Sequence, residues 1–247
     1  MVNIDTVYQR VLAIANKEQR GYVTPQEFNL YANQAQMDIF EQYFYDLNLF
    51  MKQPGNDSTH SDMVDLIKEK IDIFERYRQD IAGLTGAGVG TFPAHYRMGE
   101  VYYKNATLAG TAYPNHSGYV EIEKINQNDA HHILNSALTQ PTLERPCYVQ
   151  LTELTFQIYP ITITTAADVV CNYIVNPAQV AWGYVINSTN GAALYNANTT
   201  THFELHDSEE TELVIKILEL AGIEIKDPQV YQIAAQEEAQ NIQEEKQ

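Results

Sequence analysis

The sequence predicts an α+β protein in which the two chain ends build one helical bundle and the middle folds as an inserted antiparallel β-rich module. Apolar residues recur at helical spacing from Asn3 to Ile81 and again from Asp207. Between about Tyr96 and Leu205 that spacing gives way to short runs rich in Val, Ile, Thr and Tyr, the composition of strands. Neither end alone offers enough helix to enclose a core. The economical arrangement therefore joins residues 1–82 and 207–247 in a helical bundle domain, makes 93–206 a β-rich insertion domain, and leaves the Gly-rich stretch 83–92 as a linker. With 247 residues, 45% of them hydrophobic, the chain can fill one substantial core or two modest ones.

Taken in order, the first predicted helix runs from Asn3 to Lys17, with Val7, Val11, Leu12, Ile14 and Ala15 as its apolar stripe, and Gly21 breaks it. Thr24-Pro25-Gln26-Glu27 is a complete helix-start signal: Thr24 caps, Pro25 suits the first turn, and Glu27 bonds back to the cap. Phe28, Tyr31, Ala35, Ile39, Tyr43, Leu47 and Phe50 carry this second helix to about Met51. A turn cluster, Pro54 to Ser58, follows, and Met63, Leu66, Ile67, Ile71, Phe74, Tyr77 and Ile81 predict a third helix. Gly83 to Gly90 then reads as a hinge-like linker.

Predicted strands are Tyr96–Tyr103, Tyr119–Glu123, Cys147–Gln150, Leu154–Tyr159, Val169–Val175 and Gly183–Ile186, with a short helix over Asp129–Ala137. Asn187 to Thr201 is best explained as a hairpin with a polar loop. A further helix is expected to start at Asp207, with Leu213, Val214, Ile217, Leu218 and Ala221 buried and Gly222 ending it. Asp227-Pro228 opens another. Beyond Ala235 the chain is almost all Gln, Glu and Asn, a tail either exposed to solvent or ordered by a neighbouring subunit.

Charge narrows the function classes. There are 32 acidic residues against 15 basic ones, a formal charge of −17, and no basic stripe, which disfavours binding to nucleic-acid phosphate. DNA can pass such a surface without adhering. Cys147 and Cys171 each lie in an apolar run, which predicts two reduced core thiols. No stretch approaches a membrane span and the first residues lack a standard export signal, so a soluble chain without membrane contact is expected.

Residue patterns that carry chemistry are scarce in the chain. Gly83 to Gly90 is followed by no Lys-Ser/Thr, and Pro93 blocks the helix that a phosphate loop requires. His131-His132, adjacent in sequence, point too far apart to chelate unaided. Asp38, Glu41 and Asp46 lack the histidine partner of a carboxylate bundle site and read as a solvated face. No nucleophile elbow, His-Glu-x-x-His or Cys-x-x-Cys is present, so no catalytic residue, metal ligand or cofactor is assigned and a non-enzymatic role is expected.

Several strings carry a resemblance when taken together. They are Thr24-Pro25-Gln26-Glu27-Phe28-Asn29, Phe92-Pro93-Ala94-His95-Tyr96-Arg97, Arg145-Pro146-Cys147-Tyr148-Val149, Ile158-Tyr159-Pro160 and Trp182-Gly183-Tyr184, then Phe203 to Glu210 and Lys216 to Gly222. In that order, and over nearly the whole chain, they resemble a virion structural protein of crAss-like podoviruses and related marine phages infecting Bacteroidetes.

The resemblance implies a subunit of the portal-proximal ring stack, made in the host bacterial cytoplasm and residing in the neck of the virion. The layout of helical ends and a β insert is also similar, by fold-level analogy, to tail-tube adaptor proteins of short-tailed phages, which form twelve-fold rings under the portal. Expected partners are further copies of the chain, the portal and neighbouring tail proteins, with genome DNA passing through unbound. Val230, Tyr231 and Ile233 are the expected partner anchors, with Tyr43, Phe50 and Trp182 as further contact candidates. Two alternatives stand: another virion location such as head decoration, cargo or distal tail, and a glycan-binding module that uses Trp182 and tyrosines as sugar platforms.

Overall fold

Helix α1 (Ile4–Lys17) buries Ile4, Val7, Tyr8 and Val11, so its apolar stripe starts earlier than predicted, and Ile14 lies exposed outside it. Helix α2 (Pro25–Phe50) begins with the predicted capping box: Glu27 N–H donates to Thr24 Oγ1 at 3.3 Å, and Thr24 N–H donates to Glu27 Oε2 at 2.8 Å. The Thr24 hydrogen bonds hold the Glu27 carboxyl below its usual value. One face of α2 buries Phe28, Ala32, Ala35, Gln36, Ile39, Phe40, Tyr43 and Phe44. The structure, a computed structural model, describes residues 1–17, 23–51, 63–104, 118–189 and 191–224.

The third helix, α3 (Met63–Asp72), is shorter than its spacing predicts. Phe74, Tyr77 and Ile81 do not continue it, because Glu75–Asp80 is strand β1, paired antiparallel with β8 (Val169–Ile174). Strand β8 already pairs with β3 (Arg97–Lys104) on its other side. Its remaining backbone groups need partners too, and supplying them outweighs the helical spacing of three apolar residues.

In chain order the elements after β1 are β2 (Val89–Thr91), β3, β4 (Tyr119–Glu121), β5 (Glu123–Ile125), α4 (Gln127–Asn135), β6 (Cys147–Gln150), β7 (Thr155–Tyr159) and β8. They form two four-stranded sheets, ordered β1-β8-β3-β4 and β2-β7-β6-β5. Pairing is antiparallel, as predicted, except between β5 and β6, which run parallel, so the second sheet is mixed. Val101, Val169 and Cys171 from one sheet meet Tyr148, Phe156 and Ile158 from the other in a single buried cluster, with Phe92 stacked on Phe156 at 3.9 Å between ring centres.

The Gly-rich stretch is not a linker. Leu84 bridges Gly90, Thr85 N–H donates to Val89 C=O at 2.8 Å, and Ile158 N–H donates to Gly88 C=O at 2.8 Å. Gly88 has φ +74°, and a Cβ there would lie 2.7 Å from Ile158 O. Glycine here serves close approach of two backbones rather than flexibility.

The remaining elements are β9 (Tyr184–Ile186), β10 (Ala193–Tyr195), a 3-10 turn over Asp207–Glu209 and α5 (Glu210–Glu224). The cap of the turn is His206, not the predicted Asp207: its ring Nδ1 accepts from Ser208 N–H at 3.2 Å. Helix α5 runs through Gly222 instead of ending there. It packs against both α1 and α2, and every residue from Leu213 to Ile217 is buried, as expected of a helix enclosed on several sides.

The described residues divide into two compact units, one within Phe74–Asn176 and one drawn from Met1–Ile73 together with those from Pro177 to Glu224. Residues 74–82 therefore leave the predicted bundle, 83–92 lie inside the β unit, and 177–206 move from the predicted insert to the helical unit. The protein is a mixed α+β chain.

Candidate functional site

Residues 177–206 belong with the helices because α2 provides them with a ladder of amides. Gln36 Nε2 donates to Ala178 C=O at 2.8 Å. Asn33 Nδ2 donates to Val180 C=O at 2.8 Å, while its Oδ1 accepts from Val180 N–H at 2.9 Å. Asn29 treats Trp182 alike, Oδ1 accepting from N–H at 2.7 Å and Nδ2 donating to C=O at 3.4 Å. Steps of four and three residues along a helix advance about 6.0 and about 4.5 Å, within reach of the roughly 6.6–6.8 Å between alternate residues of an extended chain once the amide side chains lean to meet them. Amides four and then three residues apart on the helix thus meet every second residue of the segment and replace a neighbouring strand. On the opposite edge, Ala181 and Thr201 exchange backbone hydrogen bonds at 2.9 and 3.1 Å.

The segment delivers Trp182 into the helical core. Only 4% of the residue is exposed. Its Nε1–H donates to Asp5 Oδ1 at 2.8 Å, and its ring meets Tyr8 at 4.4 Å between centres and lies stacked over Tyr184 at 5.9 Å. Next to it, a Cβ on Gly183 would fall 2.7 Å from Asn196 O. Gly183→Ala is expected to cost ~1–3 kcal/mol by forcing the two segments apart. Denaturant unfolding followed by Trp182 fluorescence measures this, and an unchanged midpoint would contradict the packing argument.

Beyond Gly183 the chain forms a two-stranded ribbon, β9 with β10, in the register Tyr184↔Tyr195, Val185↔Leu194 and Ile186↔Ala193. Tyr184 and Tyr195 hold its base against Trp182, the latter at 5.8 Å between ring centres. Farther out, Val185, Ile186 and Leu194 are 54%, 63% and 54% exposed, and Tyr195 is 41% exposed. No Asp, Glu, Lys or Arg occurs between Asp168 and Glu204, in a chain whose net charge is −17. An exposed apolar ribbon on an uncharged stretch has the composition of an interface centre, where charged residues are depleted and tyrosine is enriched.

The predicted contact residues fare differently. Trp182 and Tyr43 are buried within the chain, at 4% and 5% exposure, so neither presents a surface to a partner: one anchors the ribbon, and the ring of the other carries the Lys70 ammonium at 5.6 Å. Phe50 is half-buried near the end of α2. Val230, Tyr231 and Ile233 lie outside the described residues, as does the predicted helix at Asp227. The sequence reading missed Asn29, Asn33 and Gln36, and it missed Val185, Ile186, Leu194 and Tyr195. The long run without charge between Asp168 and Glu204 is the signal that could have found the ribbon.

Elsewhere, His131 and His132 are exposed on α4, and Asp38 and Glu41 face solvent on α2. Both cysteines are buried free thiols; burial, aided by the nearby Glu123 and Asp80 charges respectively, pushes Cys147 and Cys171 up to about 11. They stay protonated at neutral pH and are poor nucleophiles there. Among the described residues no group of three His, Cys, Asp or Glu is placed to hold a metal ion, and no helix is long and apolar enough to cross a membrane. No protein-family model matches the chain, and no curated protein does.

Proposed function

We propose that this chain is a non-enzymatic structural subunit of a tailed-phage virion, assembling into a ring in the portal-proximal neck that connects head to tail and lets DNA pass. The observation that carries this reading is the separation of charge from apolar surface. An excess of 32 acidic over 15 basic residues gives a surface that repels genome phosphate, and the uncharged β9–β10 ribbon offers a place where assembly escapes that repulsion. The strings from Thr24 to Gly222 supply the family resemblance. Helices drawn from both ends around a β-rich middle are also the layout for which tail-tube adaptors of short-tailed phages are the analogy, and that analogy sets the expected ring at about a dozen copies.

In this reading the partners are neighbouring copies, the portal and the adjoining tail proteins, with Val230, Tyr231 and Ile233 as anchors on a neighbour. Imaging of virions carrying a gold-labelled copy of the chain tests the location: density at the neck is expected, whereas label on the head surface or the distal tail would replace the reading with another virion role. Deleting residues 228–247 is expected to weaken portal binding, and unchanged binding in a pull-down would remove the anchor assignment. The glycan-binding alternative loses its main support, because burial of Trp182 removes the aromatic platform it would use.

A further inference from the structure

We propose that the β9–β10 ribbon is the surface on which a second copy of this chain docks; the inference rests on the ring reading above and names the contact that holds copies together. Two strands alone are marginally stable in water, and among the described residues neither β9 nor β10 pairs with a third. Alternation along the strands puts Val185 and Leu194 on one face and Ile186 and Tyr195 on the other. Both faces therefore carry exposed apolar side chains, and Trp182 packs against the ribbon at its base, on Tyr184 and on part of Tyr195, which stays 41% exposed.

Charge selects the occupant. A basic partner would gain most by docking on the acidic faces of a chain at −17 and has no use for a neutral patch. Nucleic acid needs cations at its phosphates, and none lies between Asp168 and Glu204. A partner that is itself strongly acidic has the opposite requirement, because like charges brought face to face are repelled, and it must meet this chain where charge is missing. Another copy is such a partner, and it is always present at equal concentration. The open edges of the ribbon add backbone N–H and C=O groups ready to extend a sheet across the contact.

The test is light scattering and sedimentation of the full chain over a concentration series. It compares wild type, a ribbon variant (Val185→Asp with Leu194→Asp) and a control of equal charge (Leu30→Asp with Leu138→Asp), whose sites are 71% and 94% exposed outside the ribbon. Wild type and control are expected to assemble, with the ribbon variant about tenfold or more weaker. A milder pair, Val185→Thr with Leu194→Thr, keeps strand preference and is expected to fall between them, while Trp182 fluorescence reports whether the ribbon base is intact. Added salt is expected to strengthen assembly by screening repulsion between the copies.

If the ribbon variant assembles as well as the control, the docking assignment is overturned and the ring reading stands. Assembly that weakens with salt would likewise overturn it, since that is the behaviour of a contact between opposite charges. A wild-type chain that stays monomeric throughout the series would overturn both.

Discussion

Asn33→Leu is expected to destabilise the helical unit by about 2–6 kcal/mol, the sum for two buried backbone groups at roughly 1–3 kcal/mol each. Val180 is 2% exposed, its N–H donates to Asn33 Oδ1, and its C=O accepts from Asn33 Nδ2. Leucine has similar bulk and no polar atom, so both groups would lose their partner without access to water. Asn33→Asp separates the two contributions: it keeps an acceptor for the Val180 N–H but sets a carboxylate against the Val180 carbonyl. It should therefore be destabilising as well. Gln34→Leu, on the exposed side of the same helix, is the control. Because the chain has 1 Trp and it sits in this unit, urea unfolding followed by its fluorescence reads the helical unit selectively. A midpoint for Asn33→Leu equal to that of Gln34→Leu would refute the ladder.

That ladder also explains where the sequence stopped being legible. Helix α2 was readable because its start is encoded within four residues, Thr24 to Glu27, and a capping box requires nothing from the rest of the chain. Strand β6 was readable for a similar reason, a short apolar run over Cys147–Gln150 with turn residues before it. β1 fails that test. All six of its residues are exposed, so it lacks the alternating period of a half-buried strand, while Phe74, Tyr77 and Ile81 keep a helical spacing across it; only the demand of β8 for a second partner makes it a strand. The glycines from Gly83 to Gly90 failed differently, since close approach to β7 and freedom of a linker call for the same residue.

The candidate site went unread in the sequence, although the charge-free run between Asp168 and Glu204 carried a trace of it. Polar residues on a helix ordinarily mark its wet face, so Asn29, Asn33 and Gln36 gave no sign of being inward. Their spacing of four and then three residues places them on one stripe beside Ala32 and Ala35, and it is the partner segment at 178–182 that converts the stripe into a binding surface. The sole tryptophan, Trp182, is expected from the sequence at a contact surface or as a sugar platform. Its hydrogen bond to Asp5, far away in sequence, is what holds it inside. The exposed residues above it are smaller and unremarkable singly, and they gain meaning from the absence of charge around them.

Glu209→Gln is expected to cost about 3 kcal/mol, the lower end of the range for removing one partner of a buried ion pair, because the surviving partner is not fully enclosed. Glu209 is 3% exposed and its Oε1 lies 2.7 Å from Lys70 Nζ, whose side chain is 22% exposed; Ser208 Oγ donates to the same carboxylate at 2.9 Å. Burial by itself raises the Glu209 carboxyl, but the Lys70 hydrogen bond and charge, with help from Glu212 and Ser208, outweigh it and leave the group below its ordinary value. The sign of the pH effect follows. As pH falls, the unfolded chain takes up this proton before the folded one does, so the contribution is complete above the ordinary glutamate value of 4.5 and disappears as pH drops through the lower folded value. Unfolding free energies from Trp182 fluorescence should show the gap between wild type and Glu209→Gln constant near neutrality and closing from about pH 5 downward. A gap independent of pH would mean that shape, not charge, holds this contact. Replacing both partners, Lys70→Met with Glu209→Met, should restore most of the loss, since an apolar pair of similar size leaves no charge buried alone.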